Sequence, residues 1–119
     1  MAAHDPPVYL RLRGHIAGLI LDGVIAEGDP LPSVRALAAE QGVNPLTVAK
    51  AYQSFQDAGL VAVRRGVGMF VAPGAPARLR EEARAHFLGE EWPKVAARMR
   101  QIGIDPARLL EEMGSTLPA

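Results

Sequence analysis

Asn44, Thr47 and Lys50 recur at every third position of NPLTVAKAYQSF. At that spacing an amide, a hydroxyl and an ammonium share one broad side of a helix. None of them is a nucleophile with a base beside it. They are donors and acceptors of the kind that meet base edges and phosphates in a major groove. Leu46 shares that side and suits a thymine methyl. Ser33 and Arg35 upstream, and Arg64, Arg65 and Gly66 downstream, repeat the chemistry: hydroxyl, guanidinium and a backbone free of a side chain. Bond-breaking chemistry finds no such set. His4, His15 and His86 have no partners at metal-ligand spacing. The pairs Glu81-Glu82 and Glu90-Glu91 read as solvated helix faces rather than acid–base machinery. The residues point to a binding protein, not an enzyme, and call for no cofactor and no metal.

Short elements must position these groups. Ser33 precedes an apolar-periodic run and suits a helix N-cap. Val34, Leu37 and Ala38 mark the buried face of that helix, and Gly42 stops it. Asn44 caps a second helix with Pro45 at its first position, where a missing N–H costs nothing. Val48, Ala51, Tyr52 and Phe55 form its buried stripe, and Gly59 closes it. Only Gly42 and Val43 separate the two helices, so they must cross steeply. That is a helix-turn-helix, with the first turn of its second helix projecting. Residues 60–64 and 69–72 read as two strands around a glycine-rich tip. This hairpin is the wing of a winged helix, with two guanidiniums beside its tip.

The chain has 119 residues, 49% of them hydrophobic, and room for one small domain with an appendage. It has no cysteine, hence no disulfide framework or thiolate metal site. No apolar run approaches the roughly 20 residues of a membrane span, and the N-terminus lacks a signal pattern. The expected setting is cytoplasmic, away from membranes. Net charge is zero, which does not advertise nucleic-acid binding. Its distribution says more. Residues 33–68 carry Arg35, Lys50, Arg64 and Arg65 against Glu40 and Asp57. A local patch suffices for phosphate contacts.

Before the motif, residues 1–7 read as frayed. A bracing helix is expected over 7–22, with Tyr9, Leu12, Ile16, Leu19 and Ile20 buried and Gly23 as its stop. Leu31 can add a short strand against the wing. Pro73, Gly74 and Pro76 end the domain. The reading is mainly α with a small β-hairpin wing: a winged helix-turn-helix domain over 1–75, then a short helical dimerisation tail over 76–119. In the tail, Leu79, Ala83 and Phe87 share one helix face, and Gly89 interrupts that helix. Pro93 opens a second helix, where Val95, Met99 and Ile102 align before Gly103. Asp105 caps a third, with Leu109, Leu110 and Met113. Trp92 sits at a junction and reads as dimer core. Such helices are too short to stand alone in water, so their stripes need a surface.

Residues 8–73 resemble the GntR family of bacterial transcription regulators. The matching words are GDPLPSVRALA (28–38), GVNPLTVAKAY (42–52), AGLV (58–61) and RRGVGMFV (64–71). The resemblance implies DNA contacts by Arg35, at a base or phosphate by Thr47, and at a phosphate by Lys50. It implies a wing tip entering the adjacent minor groove, with Arg65 foremost. Ser33 and Asn44 join cap and phosphate roles. Ala49 replaces an arginine found there in other branches, so no guanine contact carries over to it. Met69 replaces a usual threonine and is free to pack inward.

The short tail is similar to that of the YtrA-type branch. About 45 residues follow the wing, which, if the chain is complete, excludes the large effector domain and the pyridoxal-phosphate-holding aminotransferase-like domain of other branches. The resemblance implies a homodimer on an inverted-repeat operator, commonly as a repressor. Two other readings stay open: a winged helix that binds protein, and the regulatory part of a pyridoxal-phosphate protein whose catalytic half lies elsewhere. An unidentified small effector between the tail helices is compatible with the residues, and none of them specifies it.

Overall fold

A computed structural model of the chain describes residues 7–116. The N-terminal segment expected to fray lies, up to residue 6, outside the described residues, as does His4. The elements are α1 (Val8–Leu21), α2 (Val34–Gln41), α3 (Pro45–Asp57), β1 (Val61–Arg64), β2 (Gly68–Val71), α4 (Ala75–His86), a π turn (Phe87–Glu91), α5 (Trp92–Ile102) and α6 (Pro106–Thr116). The chain divides into two compact units between Arg80 and Glu81, inside α4.

The first unit is built on the apolar stripes. Leu12, Ile16 and Ile20 of α1 meet Leu37 and Ala38 of α2 and Val48, Ala51, Tyr52 and Phe55 of α3. Leu60, Val61 and Val71 bring the hairpin into the same core. Ile16, Val48, Phe55 and Leu60 are all fully buried. Four helices stop where glycine was expected, at Gly23, Gly42, Gly59 and Gly103, each at positive φ. Gly42 shows why. At φ 65° it turns the chain so that Val43 N–H returns to Ala38 O at 3.0 Å. This satisfies a carbonyl that the helix end leaves open, in a conformation that costs a side-chain-bearing residue dearly.

β1 and β2 pair antiparallel, Val61 opposite Val71 and Arg64 opposite Gly68. β1 begins one residue later than expected and ends as expected, and β2 lies one residue earlier. On its other side β2 receives the 28–31 segment. Gly28 N–H donates to Val71 O, and Leu31 N–H to Met69 O, both at 2.9 Å. Pro30 forms a single bridge with Phe70; lacking an N–H, it cannot extend the ladder.

Two expectations about the tail change. Leu79, whose stripe suggests a dimer surface, is instead buried in the winged core together with Ala75. The first turns of α4 are also tied down. Arg78 donates to Ala58 O at 2.6 Å and to Gly59 O at 3.4 Å, answering carbonyls at the end of α3. The Glu27 carboxylate accepts from Gly74 N–H. The boundary therefore lies five residues beyond the expected 75. Gly89 does not break the helix either. It sits inside the π turn, where Trp92 N–H bonds Phe87 O. Pro93 has no N–H for the carbonyl of Gly89, and its ring would strike that carbonyl in a regular helix. One wider turn relieves the conflict without ending the helix.

In the second unit α5 ends at Gly103 with Ile104 N–H on Met99 O at 2.8 Å. Asp105 caps α6 through Ala107 N–H at 3.0 Å, as its place before Pro106 suggested.

Candidate nucleic-acid interface

The α2–α3 turn sets the surface. Ser33 Oγ accepts from Ala36 N–H at 3.1 Å, so the side chain caps α2. Its O–H stays free to donate outward. Arg35 follows on the exposed side of α2, opposite buried Leu37. Asn44 Oδ1 accepts from Leu46 N–H at 2.8 Å. Capping thus uses one end of that amide and leaves its NH2 for a ligand. Pro45 then occupies the first turn. Leu46 is 77% exposed, Thr47 half-buried, Ala49 and Lys50 exposed. The outward and inward sides of α3 divide as the spacing required.

Tyr52 locks the two motif helices together. Its hydroxyl donates to Pro32 O at 2.8 Å, across 20 residues. This fixes the 30–33 segment, and Ser33 and Arg35 after it, relative to α3. Burial pushes the Tyr52 phenol up to about 12, and the Glu40 carboxylate adds to the rise. The hydroxyl therefore stays protonated and donating at physiological pH.

The wing presents Arg64, Arg65, Gly66 and Val67, all exposed. Gly66 has φ 77°, which the tight tip requires. Arg64 lies with its guanidinium carbon 4.5 Å from the centroid of the Phe70 ring. Gly68, opposite Arg64, has no side chain to block that diagonal. Met69 packs against the core, as the missing threonine allowed. Val67 and Gly68 of the wing line one concavity with Ser33, Val34 and Tyr52. The wing tip and the start of α2 thus border the same surface. A second concavity joins Leu46, Thr47 and Lys50 with Val8 and Tyr9 of α1. Lys50 Nζ stands 4.2 Å from the Tyr9 ring centroid. Among the described residues none of Arg35, Lys50, Arg64 and Arg65 is ion-paired. Their charge is available to a polyanion.

The model of bacterial regulatory proteins of the gntR family matches residues 8–71. The chain belongs to the GntR family. It is a DNA-binding transcription regulator with the winged-helix fold of that family; the family and its relatives are regulators, not enzymes. The HTH-type transcriptional repressor YtrA of Bacillus subtilis (strain 168) is 31% identical over 112 residues, covering 83% of this chain and 86% of YtrA. A transcriptional regulator from Oenococcus oeni superposes with a TM-score of 0.74 at 28% identity, covering 99% and 97% of the two chains. The DNA-binding domain of AraR, solved in complex with operator ORX1, matches 60% of this chain and 87% of its own, with TM-score 0.57 and 28% identity. The resemblance to YtrA thus covers most of the chain.

The apolar residues of the tail fall into two groups. Ala83, Phe87, Trp92, Val95, Ile102, Leu109 and Leu110 are exposed in the single chain, while Met99 is buried. Leu88, Ile104 and Met113 join the exposed apolar set. The π turn puts Trp92 one turn beyond Phe87, so both aromatic rings follow one helix side. Three partners escaped the sequence reading: Tyr9 under Lys50, Phe70 under Arg64, and Arg78 at the end of α3. Each pairing is long-range or diagonal, and no local period encodes it. Among the described residues no helix is long and apolar enough to cross a membrane.

Proposed function

We propose that this regulator acts as a homodimeric repressor on an inverted-repeat operator. Two copies of α3 enter successive major grooves, about 34–36 Å apart. Arg35 and Thr47 read bases. Lys50, Arg64, Ser33 and the Asn44 amide hold phosphates, and Leu46 touches a thymine methyl. Arg65 and Gly66 bring the wing tip to the neighbouring minor groove. The carrying observation is that Arg35, Lys50, Arg64 and Arg65, on α2, α3 and the wing, are exposed and, among the described residues, not ion-paired, while caps hold Ser33 and Asn44 and Tyr52 ties Pro32 to α3. YtrA, described as a repressor, and AraR, solved on its operator, support the reading. The tail pairs the copies through Phe87, Trp92, Val95, Ile102, Leu109 and Leu110, with Ala83 alongside. The protein-binding alternative gains nothing from the geometry, because a protein-binding wing needs no exposed cations at the start of α2, on α3 and beside the wing tip together.

The test is Arg35→Ala, measured on the duplex upstream of the regulator's own gene and on a scrambled duplex of equal length. Loss of a bidentate base contact weakens the cognate complex by about 1–3 kcal/mol, roughly 5- to 150-fold. Binding to the scrambled duplex falls much less. Equal losses on both would leave Arg35 as a phosphate contact and overturn its reading role.

A further inference from the structure

We propose that Tyr9 is a positioning residue for DNA binding, holding the Lys50 ammonium at the edge of the recognition surface. The inference rests on the proposed contact of Lys50 with a phosphate. Tyr9 lies in the first turn of α1, 41 positions from Lys50, and its side chain packs against the core cluster. That packing fixes the ring. The exposed Lys50 places Nζ 4.2 Å from the ring centroid, the geometry of a cation–π contact. Val8, Leu46 and Thr47 complete the same concavity, so the ring borders the surface that α3 presents.

The consequence follows from the shape of the two groups. A lysine has a flexible four-carbon stem and three donors around a compact charge. Fixing the stem against a ring removes freedom that phosphate binding would otherwise have to remove. The ring covers one side of the ammonium and accepts no proton from it. The opposite donors still face solvent, where a phosphate oxygen can approach. Ring and phosphate therefore act on the charge together. The hydroxyl of Tyr9 plays no part in this, and the quadrupole of the ring carries it.

The test uses the full chain, the upstream duplex of its own gene and a scrambled duplex of equal length. Tyr9→Leu keeps an apolar plug and removes the ring; affinity falls about two- to fivefold per subunit on both duplexes. Tyr9→Phe binds like the unsubstituted chain. Lys50→Met lowers the salt slope by about one phosphate per subunit. In that background Tyr9→Leu costs nothing further. In the free protein, the Lys50 side-chain protons show a ring-current shift that Tyr9→Phe keeps and Tyr9→Leu loses. Equal losses from Tyr9→Leu with and without Lys50 would overturn the proposal, as would tighter binding on losing the ring. So would Tyr9→Phe behaving like Tyr9→Leu, since the hydroxyl would then act itself. If neither duplex binds while the ring-current shift persists, the DNA role of the surface fails and the contact between the two side chains survives.

Discussion

The two units of the chain treat their apolar residues in opposite ways. In the first, up to Arg80, the stripes of three helices and a hairpin close on one another, and Ile16, Val48, Phe55 and Leu60 lose essentially all contact with water. In the second, α5 and α6 are more strongly amphipathic to the eye, yet Phe87, Trp92, Val95, Ile102 and Leu110 stay open. A helix with an apolar side needs something to lay it on. The winged unit supplies that surface from within. The tail leaves several large apolar side chains exposed, of the sort that mark an interaction site where they cluster. One region is finished by folding; the other, in the proposed dimer, is finished by association.

Two phenylalanines give the sharpest contrast. Phe55→Ala should destabilise the winged unit by about 3–5 kcal/mol, the usual cost of emptying a fully buried aromatic site. Its effect on thermal unfolding should be the same at all protein concentrations. Phe87→Ala should leave the unfolding of dilute, monomeric protein nearly unchanged. It should instead weaken self-association, so that melting temperature rises less with concentration than in the unsubstituted chain. Sedimentation and melting over a hundredfold concentration range separate the two. Equal, concentration-independent losses would mean that Phe87 serves its own chain.

Truncation after Arg80 sharpens the comparison next. The cut keeps Ala75, Arg78 and Leu79 with the core that holds them. The shortened chain should fold, sediment as a monomer and keep its footprint preferences. Its operator affinity should fall about 100- to 1,000-fold, the avidity that pairing two half-site binders supplies. A cut after 75 should destabilise the fold as well, because it takes Leu79 and Arg78 away. A truncated chain that stayed dimeric would place the pairing surface in the winged unit.

How much of this could be read from residues alone follows the range of the interactions. Gly23, Gly42, Gly59 and Gly103 were legible as stops because the closure they make is local and needs positive φ. Val48, Ala51, Tyr52 and Phe55 were legible because burial repeats with the helix. Gly89 misled because its neighbour Pro93 sets the geometry, and a proline conflict can widen a turn instead of ending it. Leu79 misled for another reason. A stripe says which side of a helix is buried, and not against which surface. At the interface, the chemistry of Arg35, Thr47 and Lys50 was readable, and so were the caps at Ser33 and Asn44. The supports under them were not. Tyr9 and Lys50, and Pro32 and Tyr52, meet only once the chain has folded.

The hydroxyl of Tyr52 offers the smallest effect and a test of where alkaline sensitivity resides. Its folded pKa is raised from 10.0 to about 12, chiefly by burial and secondarily by Glu40. Between those values the unfolded chain releases the proton first, so the folded state binds more protons and stability falls as pH rises. The contribution is complete below pH 10 and is lost on the way to 12. At about 1.4 kcal/mol per pH unit the loss approaches about 3 kcal/mol. Tyr52→Phe should lack this alkaline component. It should also be about 1 kcal/mol less stable at neutral pH, because Pro32 O loses its donor. The tail holds no tyrosine, so self-association should be less sensitive than winged-unit stability across the same window. Urea unfolding from pH 9 to 12, followed beside sedimentation, reads both. Parallel curves for the two proteins would show that the phenol is not held by its surroundings. The Ser33–Arg35 segment would then owe its position to the α2 cap alone.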